Sequence, residues 1–313
     1  MLSLLAGLGR RATLAIAVGV FLGLLVPPLA ALFRPLLVPA ILLPFVVALL
    51  RLDWDRLRAT LRVPLVPALA LAWILLASPL LVALAVAPLP VPPAIASATI
   101  VTAACAPLMA SGAFAMVLGL DVGLAVLATV LATALVPLTL PPLALHLAGM
   151  AVDLDASALM LRLALLVGGA FAVAVLLRRL LGAARIHRHQ DVLSGLAVVG
   201  LVAFAIGIMH GVPAMALAAP GYVAQALVAV FALNAGLQAV TWLCFRPLGR
   251  QRALTLGLVA GNNNIGIVLA ALADRAPLEL TVYVAMAQFP IYLLPAVQRP
   301  VYRRLLGRES DVS

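Results

Sequence analysis

The chain is 313 residues long, 66% apolar and 10% charged, with twenty arginines, no lysine, ten acids and a formal net charge of +10. That balance, with a mean hydropathy of +1.24, excludes a disordered chain and an ordinary water-soluble domain, which runs near 45–50% apolar and about 25% charged. Two cysteines, Cys105 and Cys244, exclude a disulfide scaffold, and arginines clustered between apolar runs form no contiguous basic face for a nucleic acid.

Apolar runs, read against proline, glycine and charge punctuation, predict one all-α polytopic membrane domain. Ten crossings are expected at 13–33, 35–50, 64–87, 91–119, 122–148, 157–177, 192–210, 214–244, 253–273 and 277–297. A helix needs roughly 20 apolar residues to traverse a hydrocarbon core of about 30 Å. The first run follows Arg10 and Arg11, as in a signal peptide. It continues through Val26, Pro27 and Pro28 without a small-residue cleavage site, so a retained crossing is expected. The second is short and carries Pro35, Pro39 and Pro44, which predicts a tilted or kinked helix.

Run four is interrupted by Cys105-Ala106-Pro107-Leu108-Met109-Ala110-Ser111-Gly112. Pro107 withdraws a backbone donor and Ser111-Gly112 follows one turn later, a combination that opens a helix or merely kinks it. Run five starts after Asp121, a residue suited to a helix N-terminus, and holds Thr129 and Thr133 at i and i+4, where threonine can bond its own preceding turn. Asn234 and Gln238 share one face of run eight, fitting a cavity wall or a helix contact.

The strongest polar feature is Gly261-Asn262-Asn263-Asn264-Ile265-Gly266, in the middle of run nine. Three successive amides point all round a helix and two glycines weaken it, so a break is expected. Interhelical bonding by asparagine in an intact helix is the alternative. Gln288, ahead of Phe289-Pro290 in run ten, suits either packing or a site.

All ten acids fall in connections or at run ends, so no carboxylate is expected at mid-membrane, where ion-coupled carriers often place one. His146, His187, His189 and His210 lack metal-ligand company, and no nucleophile and base stand together, so no enzyme is expected. With the N-terminus inside, seventeen arginines fall in the cytoplasm and only Arg34, Arg162 and Arg275 outside. This predicts ten crossings of the cytoplasmic (inner) membrane with both termini cytoplasmic, and 178–191 as a cytoplasmic connecting loop.

Ten crossings divide into two sets of five, 1–148 and 157–297, with an interruption in the fourth member of each. Five is odd, so the second set inserts upside down. Inverted repeats whose broken helices four and nine cross near the midplane are expected, the usual setting of a substrate site in secondary transporters.

Three stretches carry a family resemblance. Ala106-Pro107-Leu108-Met109-Ala110-Ser111-Gly112, Leu118-Gly119-Leu120-Asp121-Val122 with the run-five segment to Thr139, and Val259-Ala260-Gly261-Asn262-Asn263-Asn264-Ile265-Gly266 resemble motifs of the bile acid:sodium symporter family. That family belongs to a superfamily of ten-span carriers that also holds auxin efflux carriers. The resemblance implies a core domain (runs three to five and eight to ten) that rocks against a panel domain (runs one, two, six and seven). It also implies a sodium ion at Ser111, Thr129, Asn263 and Asn264. Val259 stands where the family has a sodium-binding glutamate, Asn263 where it has glutamine, Gly112 where it has asparagine and Ala125 where it has serine. Sodium would then be held by neutral ligands alone.

The expected function is secondary transport of a small or amphipathic organic anion across the cytoplasmic membrane by alternating access, with sodium coupling left open. Ser111, Gly112, Asn262, Asn263, Asn264, Asn234 and Gln288 are the candidate substrate ligands. The alternatives are a sodium-independent carrier resembling auxin efflux carriers and a membrane receptor or scaffold that does not transport.

Overall fold

A computed structural model describes residues 12–52, 54, 65–149 and 155–307, with the side chains of Thr13 and Asp274 outside the described set. Arg10, Arg11, Arg56, Arg58, Arg62 and Arg308 of the cytoplasmic set lie outside the described residues, as do Asp53, Asp55, Asp153, Glu309 and Asp311. Among the described residues the chain is all-helical and contains no strand.

In chain order the helices are α1 (Ala12–Leu25), α2 (Pro27–Leu50), α3 (Leu65–Val86), α4 (Pro93–Ala104), α5 (Ser111–Leu118), α6 (Val122–Leu147) and α7 (Ala156–Leu181). There follow α8 (Ala183–Arg188), α9 (Gln190–Ile208), α10 (Val212–Ala218), α11 (Pro220–Phe245), α12 (Arg250–Gly261), α13 (Gly266–Leu272), α14 (Leu278–Val297) and α15 (Arg299–Leu305). Among the described residues seven segments are long and apolar enough to cross a membrane: α2, α3, α6, α7, α9 with α10, α11 with the turn after it, and α14. Runs one, four and nine are represented by shorter helices.

Two boundaries depart from the sequence reading. Run one ends at Val26, not at 33, because Pro27 takes the first position of α2, where a missing N–H costs nothing. The second helix therefore extends over 24 residues instead of the expected sixteen, with Pro35 absorbed in a tight turn at Arg34–Leu36. Run eight likewise starts at Pro220 instead of 214, since residues 212–218 form the separate helix α10 after a left-handed turn at Gly211 (φ 84°).

The chain divides into two compact units, each drawing on both halves of the sequence. The first contains α1, α2, α7 to α10, α13 and the start of α14. Here α9 packs on α1 and α2, and a β-carbon at Gly207 would meet the Phe33 carbonyl oxygen at 2.8 Å. Small residues at such contacts let backbones approach where lipid supplies no hydrophobic drive. The Arg178 guanidinium of α7 donates to the carbonyls of Leu50 and Leu52 at 3.0 and 3.1 Å, satisfying the orphaned end of α2.

The second unit contains α3 to α6, most of α11, α12, the end of α14 and α15. The expected panel runs one, two, six and seven thus fall together in the first unit. The second half of run nine and the first half of run ten lie there too, which the expected core domain had included. In the second unit α5 ends at Gly119 (φ 71°), where Leu120 N–H bonds the Ala115 carbonyl and Gly119 N–H the Met116 carbonyl. This left-handed closure suits glycine and ends the helix abruptly. Asp121 then caps α6, its carboxylate accepting from Leu124 N–H at 3.0 Å, as its place in the sequence predicts.

Candidate functional site

The two interruptions are present, and both lie in the second unit. Helix α4 stops at Ala104 because Cys105 turns extended (φ −73°, ψ 152°), and helix resumes at Ser111. Helix α12 stops at Gly261, and helix resumes at Gly266. The intervening strands of backbone pair as one antiparallel bridge between Pro107 and Asn263. Leu108 N–H donates to the Asn262 carbonyl at 2.7 Å and Asn264 N–H to the Ala106 carbonyl at 2.8 Å. Pro107 and Asn263 form the non-hydrogen-bonded pair of this ladder, so the missing proline donor is not called on. A simple kink in run four and an intact helix in run nine are both excluded by this geometry.

Side chains at the crossing separate into a satisfied set and an unsatisfied one. The satisfied set is a relay. Tyr302 O–H donates to Gln238 Oε1 at 2.7 Å, Gln238 Nε2 to Asn234 Oδ1 at 2.6 Å, Asn234 Nδ2 to Asn262 Oδ1 at 3.3 Å, and Asn262 Nδ2 to the Leu258 carbonyl at 2.8 Å. All four side chains are buried. The relay fixes Asn262, whose carbonyl holds the facing break. Its helices approach closely: a β-carbon on Gly261 would meet the Asn234 carbonyl oxygen at 2.6 Å and Gln238 Cγ at 2.5 Å.

The unsatisfied set is Asn263 and Ser111. Asn263 is 3% exposed, yet neither Nδ2 nor Oδ1 has a partner; Ser111 Oγ is fully buried and equally unpartnered. Buried polar groups are almost always paired, and an orphan marks a place for water, an ion or a ligand. Asn263 and Asn234 line a cavity of about 10 Å³ together with Thr102, Gly261, Ala287, Pro290 and Ile291. Such a volume admits about one water-sized group. An amide there offers a donor and an acceptor at once, so the cavity suits a water, a small cation on Oδ1 or an anionic oxygen on Nδ2.

The remaining sequence candidates are placed less centrally. Gly112 packs against α6, where an added β-carbon would meet Val126 Cγ2 at 2.5 Å. Asn264 is half-buried and contributes its backbone N–H to the bridge. Gln288 is buried on α14 beside the cavity-lining Ala287. Thr129 donates to the Ala125 carbonyl at 2.8 Å, bonding its own preceding turn, and does not line the cavity. Of the four residues expected around sodium, Asn263 alone lines it.

Sequence reasoning missed Thr102 and Tyr302. Thr102 lines the cavity while donating to Ala98. Tyr302 sits in an arginine-rich tail that reads as solvated, and the signal was one aromatic among Arg299, Arg303 and Arg304. No protein-family profile matches the chain, and no curated protein matches it in sequence.

Proposed function

We propose that the chain is a secondary carrier of a small or amphipathic organic anion across the cytoplasmic membrane, working by alternating access. In this reading ten crossings form two inverted five-helix repeats with both termini in the cytoplasm, as in the bile acid:sodium symporter family that the motifs resemble. One observation carries it: two broken helices bonded to each other through their backbones, with a buried, unpartnered asparagine and serine beside the bond. Irregular backbone within a membrane is tolerated where it lines a cavity or lies inside protein, and carriers use such breaks as binding sites. The cavity at the crossing holds one small group, so an organic substrate enters as neighbouring helices move, which is what alternating access supplies.

Sodium independence, as in auxin efflux carriers, is the form of this function that the residues favour. Val259, at the family's glutamate position, is apolar and fully buried, and among the described residues no carboxylate lines the cavity. A dehydrated cation without a carboxylate is poorly compensated. Proteoliposomes given a labelled bile acid or indole acetate, with and without an inward sodium gradient, test the reading. Uptake above protein-free liposomes is expected, with little stimulation by sodium. Binding of these anions without uptake turns the reading into that of a receptor, and strong sodium stimulation overturns the argument from Val259.

A further inference from the structure

A second cavity lies wholly within the first unit. It measures about 950 Å³, at the upper end of the roughly 300–1,000 Å³ typical of pockets for drug-sized ligands. Its formation follows from local sequence. The Arg34–Leu36 turn interrupts the regular winding of α2 and places Arg34 on the wall. Helix α9 ends beside it, and the left-handed turn at Gly211 packs so closely under Leu278 that a β-carbon would meet Leu278 Cδ1 at 2.9 Å. That turn brings His210 to the same wall.

Chemically the lining is one-sided. Leu37, Leu269 and Leu278 make it apolar, Thr281 adds a hydroxyl, and its ionisable groups among the described residues are Arg34 and His210, with no carboxylate. Arg34 is exposed and lines the cavity, so it repels a cation and offers an acid group a charge-assisted partner. We infer that this cavity binds a single-chain amphipathic anion. The acid group pairs with the Arg34 guanidinium, whose planar fork matches a carboxylate or sulfate, and takes a further hydrogen bond from the His210 ring. The apolar body lies along Leu37, Leu269 and Leu278. Binding here requires neither the crossing nor transport. On the topology proposed above, Arg34 and His210 lie at the non-cytoplasmic end, so the site would receive an anion before it reaches the crossing. The same chemistry is offered by a free amphipathic anion and by the headgroup of an anionic lipid.

The test uses the full chain in phosphatidylcholine nanodiscs, with dansyl-undecanoic acid as fluorescent probe and its methyl ester as control. Saturable binding of the acid above empty nanodiscs, with weak binding of the ester, is expected. Arg34→Ala should weaken it by about tenfold, the loss of one charge-assisted contact, while Arg34→Lys, which keeps the charge but loses the planar fork, should weaken it less than Arg34→Ala does. Ala270→Phe, which fills the cavity without altering charge, should also weaken binding. Replacing part of the phosphatidylcholine by phosphatidylglycerol separates the sources. A loss of affinity in the unaltered protein and in Arg34→Lys that exceeds the loss in Arg34→Ala assigns the site to a lipid headgroup, and an equal effect on all three assigns it to the free anion. The inference is overturned if the protein binds no more probe than empty nanodiscs, or if Arg34→Ala and Ala270→Phe both bind as the unaltered protein does. Should Arg34→Ala fail to fold, unchanged binding by Ala270→Phe is sufficient to overturn it.

Discussion

Two neighbouring asparagines in the same break have opposite physical standing. Asn262 is the end of a four-member relay, and its side chain bonds both Asn234 and the Leu258 carbonyl. Asn263 has no partner for either amide atom. Removing a bonded group strands its partners, whereas removing an unbonded one strands nothing. Asn262→Ala should therefore lower thermal stability by about 1–2 kcal/mol. Asn263→Ala should leave the melting temperature unchanged or raise it, and should abolish transport. Parallel melting and uptake measurements separate the two; full transport by Asn263→Ala would remove the site assignment. Tyr302→Phe makes a finer test, because it deletes one hydroxyl and leaves Gln238 Oε1 without its donor. A loss of about 1 kcal/mol is expected, with a further loss when Gln238→Leu is added, since Asn234 Oδ1 then loses the Gln238 Nε2 donor. The amide triplet announced the break in sequence, but it could not say which amide is held and which is free. That distinction depends on Tyr302, 64 residues from Gln238, and no local pattern reports a contact of that range.

At the level of elements, the two breaks were legible because the residues that cause them act locally. Pro107 and the glycine-flanked amides each weaken a helix within one turn. The join between them is a backbone bridge, and its existence rested on the repeat argument alone. The early helices were misread for an equally local reason: run one was carried through Pro27, where a new helix begins, and the boundary was set at Arg34–Pro35, where that helix only tightens. Close approach of α11 and α12 depends on Gly261, which has no room for a β-carbon against the Asn234 carbonyl and Gln238. Overpacking such a contact costs about 1–3 kcal/mol. Gly261→Ala should push α12 away from α11, lower the melting temperature and lose transport together, in contrast to Asn263→Ala. Unchanged melting of Gly261→Ala would mean that the helices are not held at this distance.

Across the whole molecule, the arginine split and the contacts within each unit constrain the same quantity. Arg51 donates to Ser194 Oγ at 2.9 Å, and Arg178 donates to the carbonyls of Leu50 and Leu52. Residues near 51, 178 and 194 therefore share one end of the first unit. Four runs separate 51 from 178, an even number, as same-side residues require. In the second unit Gln251 donates to the Gly119 carbonyl at 3.4 Å, and Gly307 lies against Arg250. Again four runs and then two separate these positions. At the other end of the first unit, Arg162 donates to the Ala271 carbonyl and Tyr222 O–H to the Glu279 carbonyl, pairs that the arginine count puts outside. Losing or adding a single crossing between any pair would set its members on opposite faces of the bilayer. Reporter fusions after Arg62, Arg188, Arg252 and Arg308 should accordingly all give cytoplasmic signals, and fusions after Arg34 and Arg275 the opposite. A non-cytoplasmic signal at any of the first four refutes ten crossings, because basic clusters resist translocation and each of these contacts depends on an even count.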